Sequence, residues 1–288
     1  MIYRFIRYKS SESFIDWIKE FFGFASSNRE SIGLFSKAHL IFATIVTLLI
    51  IIIAVLLGKH FKNKSEEEKI KPIKYLAVLM WLFEGTKIII NLIQGASIWG
   101  MLPLFLCSIQ LITIPLVALL KKGRLRDACC DFIFIWGFFT ALMALFFAGN
   151  FYNHTSFVSF WLIGSVVTHS ISGIASLYIG ISGLAKMEKK NIYITILILL
   201  SFEILSFIAN QFTDYNYMFL ECGDGTPFDL IQNMYGGERE NIFYSLTVAF
   251  MMQLFSLGYY AVDNIVVNIK HKQKEKVKTF KKDGSQLS

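Results

Sequence analysis

The sequence is poor in charge, proline and cysteine. Only 17% of its 288 residues are charged and 55% are hydrophobic, whereas soluble domains carry about 25% charged residues. Several apolar runs reach about 20 residues, the length that crosses a bilayer as a helix. The sequence therefore predicts a multi-pass membrane protein. Its formal net charge of +7 comes from short connections and the C-terminal tail, which favours contact with membrane phospholipids and not with nucleic acid.

Other absences exclude further classes. The four cysteines, at 107, 129, 130 and 222, form no CxxC pair and no disulfide framework. No histidine is followed five residues later by Asp, the signature of soluble glycerolipid acyltransferases, and the last apolar run has no lysine for retinal. Glu84, His169 and Glu203 would be a thin set of metal ligands. We therefore predict no metal and no other cofactor.

The apolar runs predict an all-α bundle of seven transmembrane helices. They cover residues 39–58, 74–95, 101–120, 129–149, 156–184, 191–212 and 242–267. The connections after the first, third and fifth spans hold six, four and three Lys or Arg residues, and the tail from Lys270 holds seven. By the positive-inside rule, the C-terminus is expected in the cytoplasm and the N-terminus outside, despite six basic residues near the N-terminus.

The segment before the first span has a helical apolar stripe. Phe14, Trp17, Ile18, Phe21 and Phe22 recur at helical spacing, which predicts an amphipathic helix in the outer interface or across the bundle mouth. The chain then divides into an amphipathic segment (1–37), a transmembrane domain (38–268) and a basic cytoplasmic tail (269–288). Residues 213–241 form one long connection, whose length is typical of a lid or part of a site.

Polar residues inside the predicted spans are the candidate functional residues, because a bilayer makes them costly. They are Glu84, Lys87 and Asn91 in the second span, Cys107 and Gln110 in the third, His169 in the fifth, Glu203 and Asn210 in the sixth, and Gln253 in the seventh. At about 1.5 Å per residue, most lie in one layer of the outer half, as a buried site would require. Glu84 and Lys87 can pair, although such a group can also serve only to hold helices together.

Cys107 and His169 carry recognisable nucleophile chemistry. An imidazole can take the proton of a thiol, and the thiolate can then attack a carbonyl to form a thioester. The estimated depths of the two residues differ by about 11 Å, so spacing alone leaves open whether they touch. Cys107 can also be a simple packing residue.

Further side chains could support this chemistry. Gln110 or Gln253 could donate to a developing oxyanion, and Glu203 or Glu84 could orient the imidazole. Pro115 predicts a kink just below Cys107, since proline removes a helical hydrogen bond.

Several segments resemble the bacterial YwaF-type proteins and the eukaryotic transmembrane protein 164. They are LFSKAHL (34–40), LPLFLCSIQL (102–111), VVTHSISG (166–173), NYMFL (216–220) and GTPFDLI (225–231). The eukaryotic protein is regarded as a phospholipid acyltransferase with a Cys–His pair, so the resemblance implies these roles for Cys107 and His169. The sequence departs from the bacterial pattern at Phe105, where relatives often have histidine, and at ECGDG (221–225).

Together these observations favour a phospholipid acyltransferase or transacylase that works in the outer half of a bacterial plasma membrane. The same polar layer could instead be the site of a transporter or of a lipid- or small-molecule-binding protein. A structural or regulatory partner of another membrane protein is a third reading.

Overall fold

The computed structural model describes residues 14–25 and 29–284, and these residues are folded into helices without a strand. The helices are α1 (Phe14–Phe22), α2 (Lys37–Phe61), α3 (Glu66–Ile93), α4 (Gln110–Leu119), α5 (Arg124–Phe147), α6 (Gly149–Tyr152), α7 (Phe160–Ser182), α8 (Lys189–Asn210), α9 (Asp229–Met234) and α10 (Ile242–Gly284). Two 3₁₀ turns cover Ile98–Met101 and Tyr217–Phe219. Within the described ranges, six helices are long and apolar enough to cross a membrane: α2, α3, α5, α7, α8 and the first part of α10, Ile242–Val266.

Helices α5 and α7 form the centre of the bundle. More than half of their apolar stretches is buried, against 17–28% in the four other long helices. Small residues allow this close packing, as they do in many membrane bundles. At Gly137 of α5, a Cβ atom would lie 2.7 Å from the carbonyl oxygen of Ser172 in α7. The side chains of α7, including His169, are therefore held on the most enclosed helix of the protein.

The third predicted span is not a continuous helix. After the 3₁₀ turn the backbone is irregular up to Ile109, and α4 has only ten residues, or about 15 Å. The Ser206 hydroxyl of α8 donates to the carbonyl of Leu104 at 2.8 Å. This carbonyl lies outside a helix, and lipid has no donor that could replace the hydroxyl. The prediction of seven continuous spans thus gives way to six long helices and one broken element.

The broken element still carries the chain from one end of the bundle to the other. Lys122, just after α4, and Arg126, in the first turn of α5, both pair with Glu66 at the start of α3. At the opposite end, Gln94 follows α3 and donates to the carbonyl of Phe22 in α1 at 2.9 Å. We call this second end, which the loop charges predict to face outward, the α1 end.

Pro115 lies inside α4, and a neighbouring helix compensates for its missing amide. The carbonyl of Leu111, which an amide at position 115 would normally reach, accepts from the indole Nε1 of Trp81 at 2.9 Å. This contact couples α3 to α4 just below the segment that holds Cys107.

The amphipathic helix packs on the bundle. Phe21 and Phe22 contact the ring of Phe160 at the start of α7, with ring centroids 6.2 and 5.1 Å apart. None of the α1 residues is fully buried, so both predicted placements, in the outer interface and across the bundle mouth, remain predictions. At the other extreme, α10 continues into the predicted tail as far as Gly284.

At the end of the bundle opposite α1, Asp131 accepts hydrogen bonds from several elements. One carboxylate oxygen accepts from the amides of Lys186 and Met187, at 3.0 and 3.1 Å. The other accepts from Asn191 Nδ2 at 2.8 Å and from the Tyr260 hydroxyl at 3.0 Å. One side chain thereby joins α5, the connection before α8, α8 itself and α10. Sequence reasoning missed this network.

Candidate functional site

Cys107 lies in the irregular segment just before α4, and so at the start of a helix instead of within one. The amides of Ser108 and Ile109 both donate to the carbonyl of Phe105, at 2.8 and 3.2 Å, which begins the first helical turn. The ring of Phe105 contacts Tyr217, with centroids 5.1 Å apart. The long connection 213–241 therefore packs directly on the segment that presents the thiol.

Cys107 and His169, both half-buried, lie within electrostatic reach of each other. The hydrogen-bond contact of the thiol is with the hydroxyl of Ser108, at 4.0 Å. The estimated depth difference of about 11 Å assumed a straight helix through residues 101–120, and the backbone around Cys107 is irregular instead.

The hydrogen bonds of His169 assign its tautomer. Its Nδ1 lies 2.7 Å from the carbonyl oxygen of Ser165, one turn earlier in α7. A carbonyl can only accept, so Nδ1 carries the proton of the neutral ring and Nε2 keeps its lone pair. Nε2 is then the nitrogen available to accept the proton of the thiol. Because any residue four positions earlier supplies this carbonyl, the sequence alone carries no signal for the contact.

Lys87 and Glu84 lie on α3, on the side that faces Cys107 and His169. Their side chains form an ion pair with Nζ and Oε2 2.8 Å apart, and Lys87 is close enough to act electrostatically on Cys107 and His169. Its stem crosses α7 at Gly164, where a Cβ atom would lie 3.0 Å from Lys87 Cδ. Asn91 lies half-buried one turn further along α3.

Glu203 and Gln253 form a separate pair between α8 and α10. Gln253 Nε2 donates to Glu203 Oε2 at 2.8 Å. The Oε1 atoms of both residues are buried and have no partner among the described residues. Thus Glu203 binds Gln253, Glu84 binds Lys87, and the imidazole of His169 is oriented by a backbone carbonyl.

Gln110 is completely buried in the first turn of α4. Its Oε1 accepts from the Thr113 hydroxyl at 3.2 Å. Its Nε2 has no hydrogen-bond partner in the part of the chain that the structure describes. Gln110 follows Cys107 by three residues, so the two side chains project from neighbouring positions of one turn.

His39 shows what a purely structural histidine looks like here. Its Nδ1 accepts from the amide of Phe35 at 3.1 Å, and its Nε2 donates to the carbonyl of Leu145 at 2.9 Å. Both nitrogens are used by backbone groups, and the ring is fully buried. His39 therefore ties the start of α2 to the end of α5.

A polar cavity of about 620 Å³ opens at the α1 end, beside the long connection. It is lined by Asn210, Gln211, Phe212, Thr213, Asp214, Glu221, Arg239 and Glu240. Asn210 exchanges hydrogen bonds with the backbone of Tyr217 at 2.8 and 3.2 Å, which fixes the connection on α8. Burial raises the pKa of Glu221, although Arg239 offsets part of the effect.

The fold defines a multi-pass helical membrane protein whose long helices are apolar enough to cross a bilayer. The model of the TMEM164 family matches residues 34–260, which is most of the chain. The chain belongs to the TMEM164 family, as its resemblance to transmembrane protein 164 predicted. Comparisons with curated proteins and with solved structures give no match.

Proposed function

We propose that this protein is a phospholipid acyltransferase with Cys107 as nucleophile and His169 as general base. The observation that supports the proposal is the position of His169, whose Nδ1 is engaged by the Ser165 carbonyl while the ring lies within electrostatic reach of Cys107. A nucleophile next to a base that is itself oriented by a third group is the arrangement that covalent catalysis requires. In keeping with the bacterial resemblance, we place the protein in a bacterial plasma membrane.

The first half-reaction transfers the acyl group to the protein. His169 Nε2 takes the proton of the Cys107 thiol as the sulfur attacks the carbonyl carbon of a phospholipid ester. A carbon–sulfur bond forms and the carbonyl electrons move to the oxygen. When they return, the carbon–oxygen ester bond breaks, and the leaving lipid alkoxide takes the proton from His169. The products are a Cys107 thioester and a lysophospholipid.

The second half-reaction reverses these roles with a new acceptor. The hydroxyl of a second lysophospholipid gives its proton to His169 and attacks the thioester carbonyl. The carbon–sulfur bond breaks, and the thiolate recovers the proton. The ammonium of Lys87 would favour the thiolate in both steps, because charges interact strongly where water is scarce.

A reconstituted transfer assay tests the proposal. Wild-type protein in liposomes should move an isotope-labelled acyl chain from a phospholipid to an added lysophospholipid, as measured by lipid mass spectrometry. Cys107→Ser should abolish transfer. Cys222→Ser, which alters the buried thiol of the long connection at the same end, should leave it intact. Transfer that survives Cys107→Ser would overturn the assignment.

The polar cavity favours one alternative, a lipid- or small-molecule-binding or transport protein. Its mixed lining, with Arg239 among Asp214, Glu221 and Glu240, suits a polar ligand. In that case Cys107→Ser would leave the lipids unchanged. Arg239→Gln would instead abolish ligand-dependent thermal stabilisation of the purified protein.

A further inference from the structure

We propose that the turn leading into α4 is an oxyanion hole, formed by the backbone N–H of Cys107 and the side-chain amide of Gln110. Its ligand is the carbonyl oxygen of the acyl group that Cys107 attacks. This inference rests on the proposed function and adds the groups that would bind the reacting oxygen.

The backbone of this turn leaves one amide free next to the thiol. The amides of Ser108 and Ile109 both donate to the carbonyl of Phe105, and the amide of Gln110 donates to the carbonyl of Cys107 at 3.3 Å. Within residues 14–25 and 29–284, no acceptor takes the N–H of Cys107. Free amides in the first turn of a helix carry its positive end and bind anionic oxygens.

The second donor is the buried amide of Gln110. Its Oε1 lies 3.2 Å from the Thr113 hydroxyl, which is shared with the carbonyl of Ile109, while Nε2 finds no acceptor in the described chain. A buried donor without a partner is costly and therefore unusual in a folded protein. An acceptor that arrives with the substrate explains why this one is retained three residues from the nucleophile.

The same comparison favours Gln110 over the other glutamine that sequence analysis put forward. Gln253 Nε2 is held by Glu203 at 2.8 Å, between α8 and α10. Gln110 Nε2 is the buried side-chain amide nitrogen without any partner among the described residues, and it lies three residues from Cys107, which assigns the role to the turn before α4.

The chemistry of attack requires such donors at this place. As the sulfur of Cys107 bonds to the carbonyl carbon, negative charge develops on an oxygen next to the nucleophile. The nucleophile's own N–H is a donor that reaches this oxygen in other acyl-transfer sites. The side-chain amide of Gln110, on the same turn, supplies the second hydrogen-bond donor for this oxygen. The site is thus suited to acyl esters in general, and makes no demand on the rest of the lipid.

Two reactions of the Cys107 thiol distinguish an oxyanion-binding role of Gln110 from a merely structural role. Acylation of Cys107 by p-nitrophenyl butyrate passes through an oxyanion, whereas its reaction with methyl methanethiosulfonate does not. Gln110→Met keeps the size of the side chain and removes the donor. It should slow acylation by about 100- to 1,000-fold and leave the methanethiosulfonate rate unchanged. The matched variant Gln253→Met should leave both rates unchanged.

The outcomes are distinguishable from a failure of the proposed function. If wild-type protein acquires the butyryl group on Cys107 and Gln110→Met acquires it equally fast, the oxyanion hole is wrong and the nucleophile stands. If Cys107 is never acylated, both proposals fall. Should Gln110→Met not fold, Thr113→Val serves instead, because it removes the hydroxyl that lies 3.2 Å from Gln110 Oε1. It should slow acylation selectively, and an unchanged rate would overturn the inference.

Discussion

Two histidines near the α1 end show how hydrogen-bond partners decide the role of a residue. Both ring nitrogens of His39 form hydrogen bonds with backbone groups, whereas only Nδ1 of His169 does so, with the carbonyl of Ser165. Both were visible in the sequence as polar residues in apolar surroundings. Periodicity could show that each faces the bundle, but the partners of His39 lie 4 and 106 residues away. The difference between them therefore had to come from tertiary structure.

This contrast predicts opposite effects of the same substitution. His169→Gln removes the proton acceptor and should lower the acyl-transfer rate by about 100-fold or more, with little change in melting temperature. His39→Gln should lower the stability of the protein by about 1–3 kcal/mol, because a buried backbone group loses its partner. Transfer rates and thermal unfolding of both variants in one detergent check the pair. Equal loss of activity in both would contradict the assignment.

The broken element of residues 98–119 shows where prediction from sequence succeeded and where it failed. The six long helices follow their predicted spans because each is an uninterrupted apolar run whose hydrogen bonds are local. The segment 101–120 is just as apolar, yet its Leu104 carbonyl accepts a hydrogen bond from the hydroxyl of Ser206, 102 residues away. Hydropathy carries no information about such a partner. The depth estimate for Cys107 assumed a regular helix through this segment, and the irregular backbone removes that assumption.

The contact between α3 and α4 gives a prediction at the level of elements. Trp81→Phe removes the donor to the Leu111 carbonyl and should destabilise the protein by about 1–3 kcal/mol. Trp99→Phe is the matched control, because Trp99 is about as exposed as Trp81 and no acceptor for its indole N–H is found among the described residues. Pro115→Ala restores an amide that can reach Leu111 within the helix. The double variant Trp81→Phe with Pro115→Ala should therefore recover part of the lost stability, as thermal unfolding would show. Strictly additive losses would mean that the indole does not compensate for the proline.

Over the whole molecule, stability and the candidate chemistry lie at opposite ends of the bundle. Asp131 gathers four donors from three elements at one end. The α1 end holds the irregular segment with Cys107 and the polar cavity. Sites that bind and release substrates tend to occupy the less tightly held part of a structure. The family match and the apolar helices make this a multi-pass membrane protein, while its orientation remains a prediction from the loop charges.

This division predicts that damage at the Asp131 end leaves the thiol intact. Asp131→Ala removes the shared acceptor of four donors and should cost several kcal/mol of stability. Asp127→Asn removes only the partly exposed ion pair with Lys186 and should cost about 1 kcal/mol or less. Below the melting temperature, both variants should react with methyl methanethiosulfonate at Cys107 as fast as wild type. A large loss of thiol reactivity in Asp127→Asn would show that the two ends are coupled.

The central claim is that Cys107 carries an acyl group during turnover, and mass spectrometry of the protein tests it most directly. Wild-type protein exposed to phospholipid and then digested should yield a Cys107 peptide with an added fatty acyl mass that hydroxylamine removes. The adduct should be absent from Cys107→Ser and should form far more slowly in His169→Gln. Phospholipid exposure that leaves Cys107 unmodified, in protein that is folded and reactive toward methyl methanethiosulfonate, would contradict the account.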